Sequence, residues 1–250
     1  MSQRTPPVLS PIVRVALSLF LPLLGAILFS LVTSGAVGIG ADQRQAAPTL
    51  AGAGLLAMFT GLVWYGLRGL GLRGGRPLYA GIGFASLAWV AFLLARLVTV
   101  ELIDFGSEDS ARTLIFIALF EAYSVQVWTF GLFFRSAADW RGPLTAAVAS
   151  GAVFGLIGFL LFQEPTLPAL LSLGYYSLWG ILYGIIRLRT GSLLGTVLIH
   201  TLHSWTAWSV LVTLDPLPAI QLRNLYLVSI VFYIIIIWRL WPRREEDYRV

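Results

Sequence analysis

Apolar runs long enough to cross a bilayer recur from one end of this sequence to the other, and they leave little chain for anything else. A hydrocarbon core takes about 20 residues of helix to span. Eight runs approach that length: Val13 to Val32, Leu50 to Leu67, Leu78 to Val98, Thr113 to Phe134, Pro143 to Phe162, Leu170 to Ile186, Ser192 to Leu211 and Leu225 to Leu240. The turns between them are short and rich in Gly, Pro and Arg, so no soluble domain of any size is expected. Of 250 residues, 58% are hydrophobic and only 12% charged, whereas about a quarter are charged in soluble domains. A membrane β-barrel would alternate apolar with polar residues, and no such alternation is visible. The expected fold is all-α, a polytopic bundle of about eight transmembrane helices. The first run is too long for a signal-peptide core and lacks a small-x-small cleavage site, so it reads as a retained anchor.

Charge sets an expected orientation. All 17 basic residues are arginine. If both termini and the even-numbered loops share one side, only Arg44, Arg96, Arg112 and Arg223 fall on the other. Positive residues collect on the cytoplasmic side, so both termini are expected in the cytoplasm. The arginines are spread over successive loop ends with no basic patch. This explains the +5 net charge without a nucleic-acid partner and points to anionic membrane lipids. Trp64, Tyr65, Trp140, Trp238 and Trp241 lie near span ends, where amphipathic rings favour the interface. The chain has no cysteine, which excludes disulfides, thiolate chemistry and Cys-ligated metals. A chain free of Lys and Cys is expected in a bacterium with a GC-rich genome, and the protein in its cytoplasmic (inner) membrane.

Of the 12 acidic residues, only Glu121 falls inside a span. A charged group at the centre of a span costs about 2.5 to 3.5 kcal/mol on insertion scales, so it is expected to face the bundle interior and to have a partner. Both histidines of the chain, His200 and His203, lie in the seventh span, three residues apart and so on one side of a helix. Ser204, four residues from His200, shares that side. The rare ionisable groups of the membrane region thus concentrate in two helices. One reading is structural, with a neutral Glu121 bonded to a backbone carbonyl or to His200. The other is a site, active or ancestral.

The order of these elements resembles a known family. The stretches "EAYSVQ" at 121–126, "AVFGLIG" at 152–158 and "GILYGIIRLRTGSLLGTVLIHTLHSW" at 180–205 are similar to the CPBP family of intramembrane proteases, which includes the type II CAAX prenyl endopeptidases and the Abi-type proteins. The family pattern runs Glu-Glu-x-x-x-Arg, Phe-x-x-x-His, a Gly-rich span ending in a turn like "RLRTGS", and His-x-x-x-Asn. The resemblance covers roughly residues 113 to 211. Glu121 occupies the first Glu, Phe154 the Phe and His200 the last His. Ala122 replaces the second Glu, Gln126 the Arg, Gly158 the His and Ser204 the Asn.

The resemblance implies a water activated by the first Glu and the Phe-x-x-x-His imidazole, with the last His and Asn stabilising the oxyanion. Carried over, Glu121 would be the base, His200 an oxyanion donor and Ser204 a shorter second donor, with Gln126 and Phe154 in support. Losing one preorganised donor costs about 100- to 1000-fold in rate, so a weak or dead protease is expected. One conceivable rescue is His203, reaching the water from the seventh helix. No cofactor and no bound metal are expected: two His and one carboxylate match non-haem iron sites in number only, and zinc peptidase helices space their histidines by four.

Glycines four apart, Gly151 and Gly155 in the fifth span, Gly180 and Gly184 in the sixth and Gly191 and Gly195 at the start of the seventh, provide flat faces for close helix contact. Tyr175, Tyr176 and Trp179 are expected to pack there or to line a lipid or prenyl groove. Three segments are expected: residues 1–112 with the first three helices, 113–211 as a CPBP-like core, and 212–250 with the last helix and a basic tail. The expected function is that of a catalytically impaired or inactive protease homologue acting through helix or lipid binding. An active glutamate-type endopeptidase and an accessory subunit of a larger membrane complex are the alternatives. Its expected partners are membrane lipids and a membrane protein or a prenylated or lipidated peptide. A haem or chlorin protein and a proton-coupled transporter are further alternatives, the latter opposed by the lack of inverted halves.

Overall fold

A computed structural model describes residues 9–36, 46–100, 104–105, 115, 117–162, 165–207, 211–212 and 218–249. Outside these residues lie Arg4, Arg44, Arg112, the acids Asp42, Glu101, Glu108, Asp109, Glu164 and Asp215, and the expected boundary at 112–113. Each of the eight apolar runs contains a helix, although the α-helix of the seventh ends at Trp205 and Leu211, its expected end, pairs in a strand. The helices are α1 (Pro11–Ala36), α2 (Ala46–Leu70), α3 (Arg76–Thr99), α4, α5 (Pro143–Phe162), α6 (Ala169–Thr190), α7 (Leu194–Trp205) and α8 (Ala219–Leu240). Helix α4 is a continuous helix of mixed winding. Wide i→i+5 turns at Ile117–Ala122 and Val127–Phe133 alternate with α-helical stretches at Tyr123–Gln126 and Phe134–Arg141. Among the described residues six helices are long and apolar enough to cross a membrane: α1, α2, α3, α5, α6 and α8. A short antiparallel pairing, β1 (Asp104–Phe105) with β2 (Leu211–Val212), joins the segments after α3 and α7. The all-α, multi-pass character read from the sequence holds.

Helices α4 and α6 form the interior. Phe130, Leu132 and Phe134 of α4 and Leu182, Tyr183, Ile185 and Ile186 of α6 are fully buried. Leu, Ile and Val along α1, α3 and α8 stay exposed on the outside, as lipid-facing helices require. Helices α5 and α6 make the closest contact, through the glycines. A Cβ added at Gly180 would lie 2.5 Å from the carbonyl oxygen of Gly151, and one added at Gly155 2.5 Å from Ser177 Cα. Gly195 stands equally close to Gly81, which seats the start of α7 on α3. These pairs are the small-residue contacts expected from the spacing, and they let backbones meet where bilayer hydrocarbon supplies no hydrophobic drive.

The turn "RLRTGSLL" has a local cause. Gly191 takes a left-handed conformation, φ +70°, that ends α6, and its N–H donates to Arg187 O at 2.9 Å. Thr190 Oγ1 donates to Ile186 O at 2.8 Å and accepts from Ser192 N at 3.2 Å. Leu193 N then donates to Gly71 O at 2.7 Å, and Ser192 Oγ to Arg73 O at 3.0 Å. The start of α7 is thereby fixed to the α2–α3 turn.

Among the described residues three arginines counted from the sequence as loop-end charges are drawn inward, and Arg96, one of them, donates from Nη1 to Ala207 O at 3.0 Å. Arg14 donates to Asp139 Oδ2 at 2.6 Å and to Tyr65 OH at 2.8 Å, tying α1 to α2 and α4. Arg187 is completely buried. Its Nε donates to Phe130 O at 3.3 Å and its Nη2 to Gly69 O at 3.4 Å, with the guanidinium 5.3 Å from the centre of the Phe134 ring. The correction has a physical reason: the wide turns of α4 and the end of α2 leave carbonyls inside the bundle, and an arginine can satisfy two of them at once.

Candidate functional site

On α7, Thr196, His200 and Ser204 follow one another at intervals of four and form one polar stripe. On α4, Glu121 and Gln126 are five apart. In an ideal α-helix residues at that spacing point about 140° away from each other. Both nevertheless reach the α7 stripe, Glu121 at Ser204 and Gln126 at Thr196 and His200.

All five side chains are buried. Ser204 Oγ donates to Glu121 Oε1 at 2.9 Å. His200 Nε2 faces the same oxygen at 3.9 Å, an approach too long for a hydrogen bond. Gln126 Nε2 lies 3.3 Å from His200 Nδ1, and the Thr196 hydroxyl donates to Gln126 Oε1 at 3.0 Å. The Thr196 hydroxyl also lies 2.8 Å from Leu193 O, and the ring nitrogen of His200 that carries the hydrogen is set by which way the Gln126 amide is turned. Phe154, Trp179 and Tyr183 surround the His200 ring at centroid distances of 5.4, 5.1 and 5.7 Å.

Glu121, His200 and Ser204 open on a cavity of about 30 Å³, walled by Phe154, Gly158, Tyr176 and Trp179 among others. That space admits a water molecule and is far too small for a peptide. It lies toward the end of the bundle where α4 and α6 begin and α5 and α7 end. Gly158, at the position of the family's imidazole, faces this cavity with its Cα against Tyr176. A Cβ there would come within 2.8 Å of Tyr176 Cδ1 and 2.9 Å of Cγ. Tyr176 is held in turn by its hydroxyl, which donates to Phe162 O at 3.1 Å and lies 3.2 Å from Tyr226 OH.

His203 is elsewhere. Its ring lies between Phe92 and Trp179, with centroids 4.1 and 4.2 Å away, and neither nitrogen has a hydrogen-bond partner among the described residues. The idea that it reaches the water beside Glu121 fails on this placement. Three residues on a helix separate two side chains by about 60° around the axis, enough to turn one toward α4 and the other toward α3. Among the described residues no three His, Asp or Glu side chains gather as a metal would need. Sequence reasoning missed the role of Thr196 as the anchor of Gln126. Its position four residues before His200 was the available signal.

Residues 109–206 match the family model described as Type II CAAX prenyl endopeptidase Rce1-like. Over these residues, about two fifths of the chain, the sequence is similar to the Rce1-like family. The matched segment contains α4 to α7, and hence Glu121, Gln126, Phe154, Gly158, His200 and Ser204. No curated protein and no solved structure matches the chain.

Proposed function

We propose that this Rce1-like protein is a catalytically impaired or inactive homologue of the intramembrane endopeptidases, retained for binding a membrane helix or a lipidated peptide of a partner. The observation that carries this reading is Gly158. At Gly158 the wall of the cavity offers no second imidazole beside Glu121, and the Tyr176 ring occupies the space one would need. A carboxylate that already accepts from Ser204 and faces a single imidazole can hold a water. It lacks the second group that the family pattern uses to take and return protons, and general acid–base catalysis contributes about 100- to 10,000-fold where it is present.

The alternative reading, an active glutamate-type endopeptidase, is favoured by one observation: His200 Nε2 and the Ser204 hydroxyl converge on the Glu121 cavity from one helix face, as oxyanion donors would. We place the protein in a bacterial cytoplasmic membrane with both termini cytoplasmic, on the arginine asymmetry. The cavity then lies in the half of the membrane away from the cytoplasm.

Native-detergent purification of wild type and Glu121→Ala, with partners and peptides identified by mass spectrometry, tests the proposal. Partners retained by both, with no fragment that depends on Glu121, are expected. A cleavage product present with wild type and absent with Glu121→Ala would overturn it.

A further inference from the structure

On the outer face of α6, between α5 and α8, the packing leaves a trough of about 580 Å³. Its floor is aliphatic, from Val148 of α5, Leu178 and Ile181 of α6 and Ile234 and Ile237 of α8. At one end the lining changes to Trp238, Trp241 and Arg243. Along α8 the chemistry therefore passes from hydrocarbon to indole to guanidinium within three helical turns, the order met on moving from acyl chains to headgroups.

Arg243 is held at this mouth. Its N–H and that of Arg244 donate to Asp247 Oδ2 at 3.0 and 3.4 Å. The tail beyond is pinned to the bundle, with Arg249 N donating to Leu188 O at 2.9 Å and Arg73 Nη1 to Arg249 O at 3.1 Å. Arg239 lies over the Trp238 ring at 5.7 Å from its centroid. Glu245 and Glu246 are exposed on the next turn and do not line the trough, so the charge that borders it is positive.

We propose that this trough binds one molecule of an anionic phospholipid, with an acyl chain along the aliphatic floor and the phosphate against Arg243. The aliphatic length calls for a lipid chain. An arginine with its backbone held at interfacial depth, beside two tryptophans, calls for a headgroup with net negative charge. The site is separate from the Glu121 cavity and does not depend on the function proposed above.

The test uses the purified full-length protein in nanodiscs and the quenching of tryptophan fluorescence by brominated acyl chains. Brominated phosphatidylglycerol and brominated phosphatidylcholine are compared as probes. The chain has nine tryptophans, so Trp238→Phe isolates the local signal by difference. The expected result is that the glycerol lipid quenches the Trp238 component at about fivefold lower mole fraction than the choline lipid, the ratio one surface arginine supplies. Arg243→Gln should bring that ratio to about one, Arg243→Lys should keep most of it, and Arg141→Gln, at a distant exposed arginine, should leave it unchanged. Equal quenching by both lipids in wild type, or a preference that survives Arg243→Gln, would overturn the proposal. So would protection of Trp238 from both lipids in a dimeric protein, which would place a second copy in the trough.

Discussion

Two glycines of α6, ten residues apart, should respond to the same substitution with opposite signs. At Gly174 a Cβ meets nothing within 4 Å, whereas at Gly184 it meets the backbone of α5, 2.9 Å from Ala147 C and 3.1 Å from Ala147 Cα. Replacing a helical glycine by alanine gains about 0.5 to 1 kcal/mol from the lower entropy of the unfolded chain. At Gly174 nothing opposes this gain. At Gly184 the new methyl group can be accommodated only if α5 moves away, and overpacking of this kind costs about 1 to 3 kcal/mol. The net expectation is a stabilisation of about 0.5 to 1 kcal/mol for Gly174→Ala and a loss of about 0.5 to 2 kcal/mol for Gly184→Ala. For a chain of this length 1 kcal/mol is about 2 to 4 °C in Tm. Thermal unfolding in one detergent, followed by circular dichroism and by loss of monodisperse protein, should show the two midpoints moving apart on either side of wild type. A rise in both would show that α5 and α6 do not meet through backbone at Gly184. The same separation would draw Phe154 from Trp179 and Tyr183, the rings that enclose His200.

Arg14→Met should lower the unfolding free energy by about 1.5 to 3 kcal/mol, because it leaves Asp139 without its 2.6 Å partner. Adding Asp139→Leu should recover most of that loss, and a double variant less stable than Arg14→Met refutes the pairing. His203→Phe should leave Tm unchanged or raise it, since both ring nitrogens lack partners among the described residues and lie between two aromatic faces; a fall of several degrees would reveal a hidden polar contact. The backbone N–H groups of Arg243 and Arg244 hold the Asp247 carboxyl below its ordinary range. The tail turn is therefore favoured above the ordinary aspartate pKa and is lost as pH falls through the depressed value. Asp247→Asn should reproduce that loss at neutral pH as faster trypsin cleavage after Arg243 and Arg244.

The helices were legible because hydrocarbon admits so few ways of satisfying a backbone. The same constraint made Glu121 conspicuous, and the intervals of four on α7 placed His200 and Ser204 together. The partner of Gln126 was not legible, because residues five apart on an ideal helix point about 140° from each other, so the spacing of Glu121 and Gln126 gave no reason to bring both to α7. The burial of Arg187 was hidden for a related reason. An arginine near a span end reads as interfacial until the carbonyls of Phe130 and Gly69 are seen beneath it.

That buried guanidinium also bears on biogenesis. The two carbonyls that receive it belong to segments synthesised earlier, and among the described residues no carboxylate forms an ion pair with it. When the sixth helix leaves the translocon, its cation finds shelter only against a preassembled second and fourth helix. Insertion of the carboxyl-terminal half is thereby made conditional on the amino-terminal half, an ordering written into a single side chain.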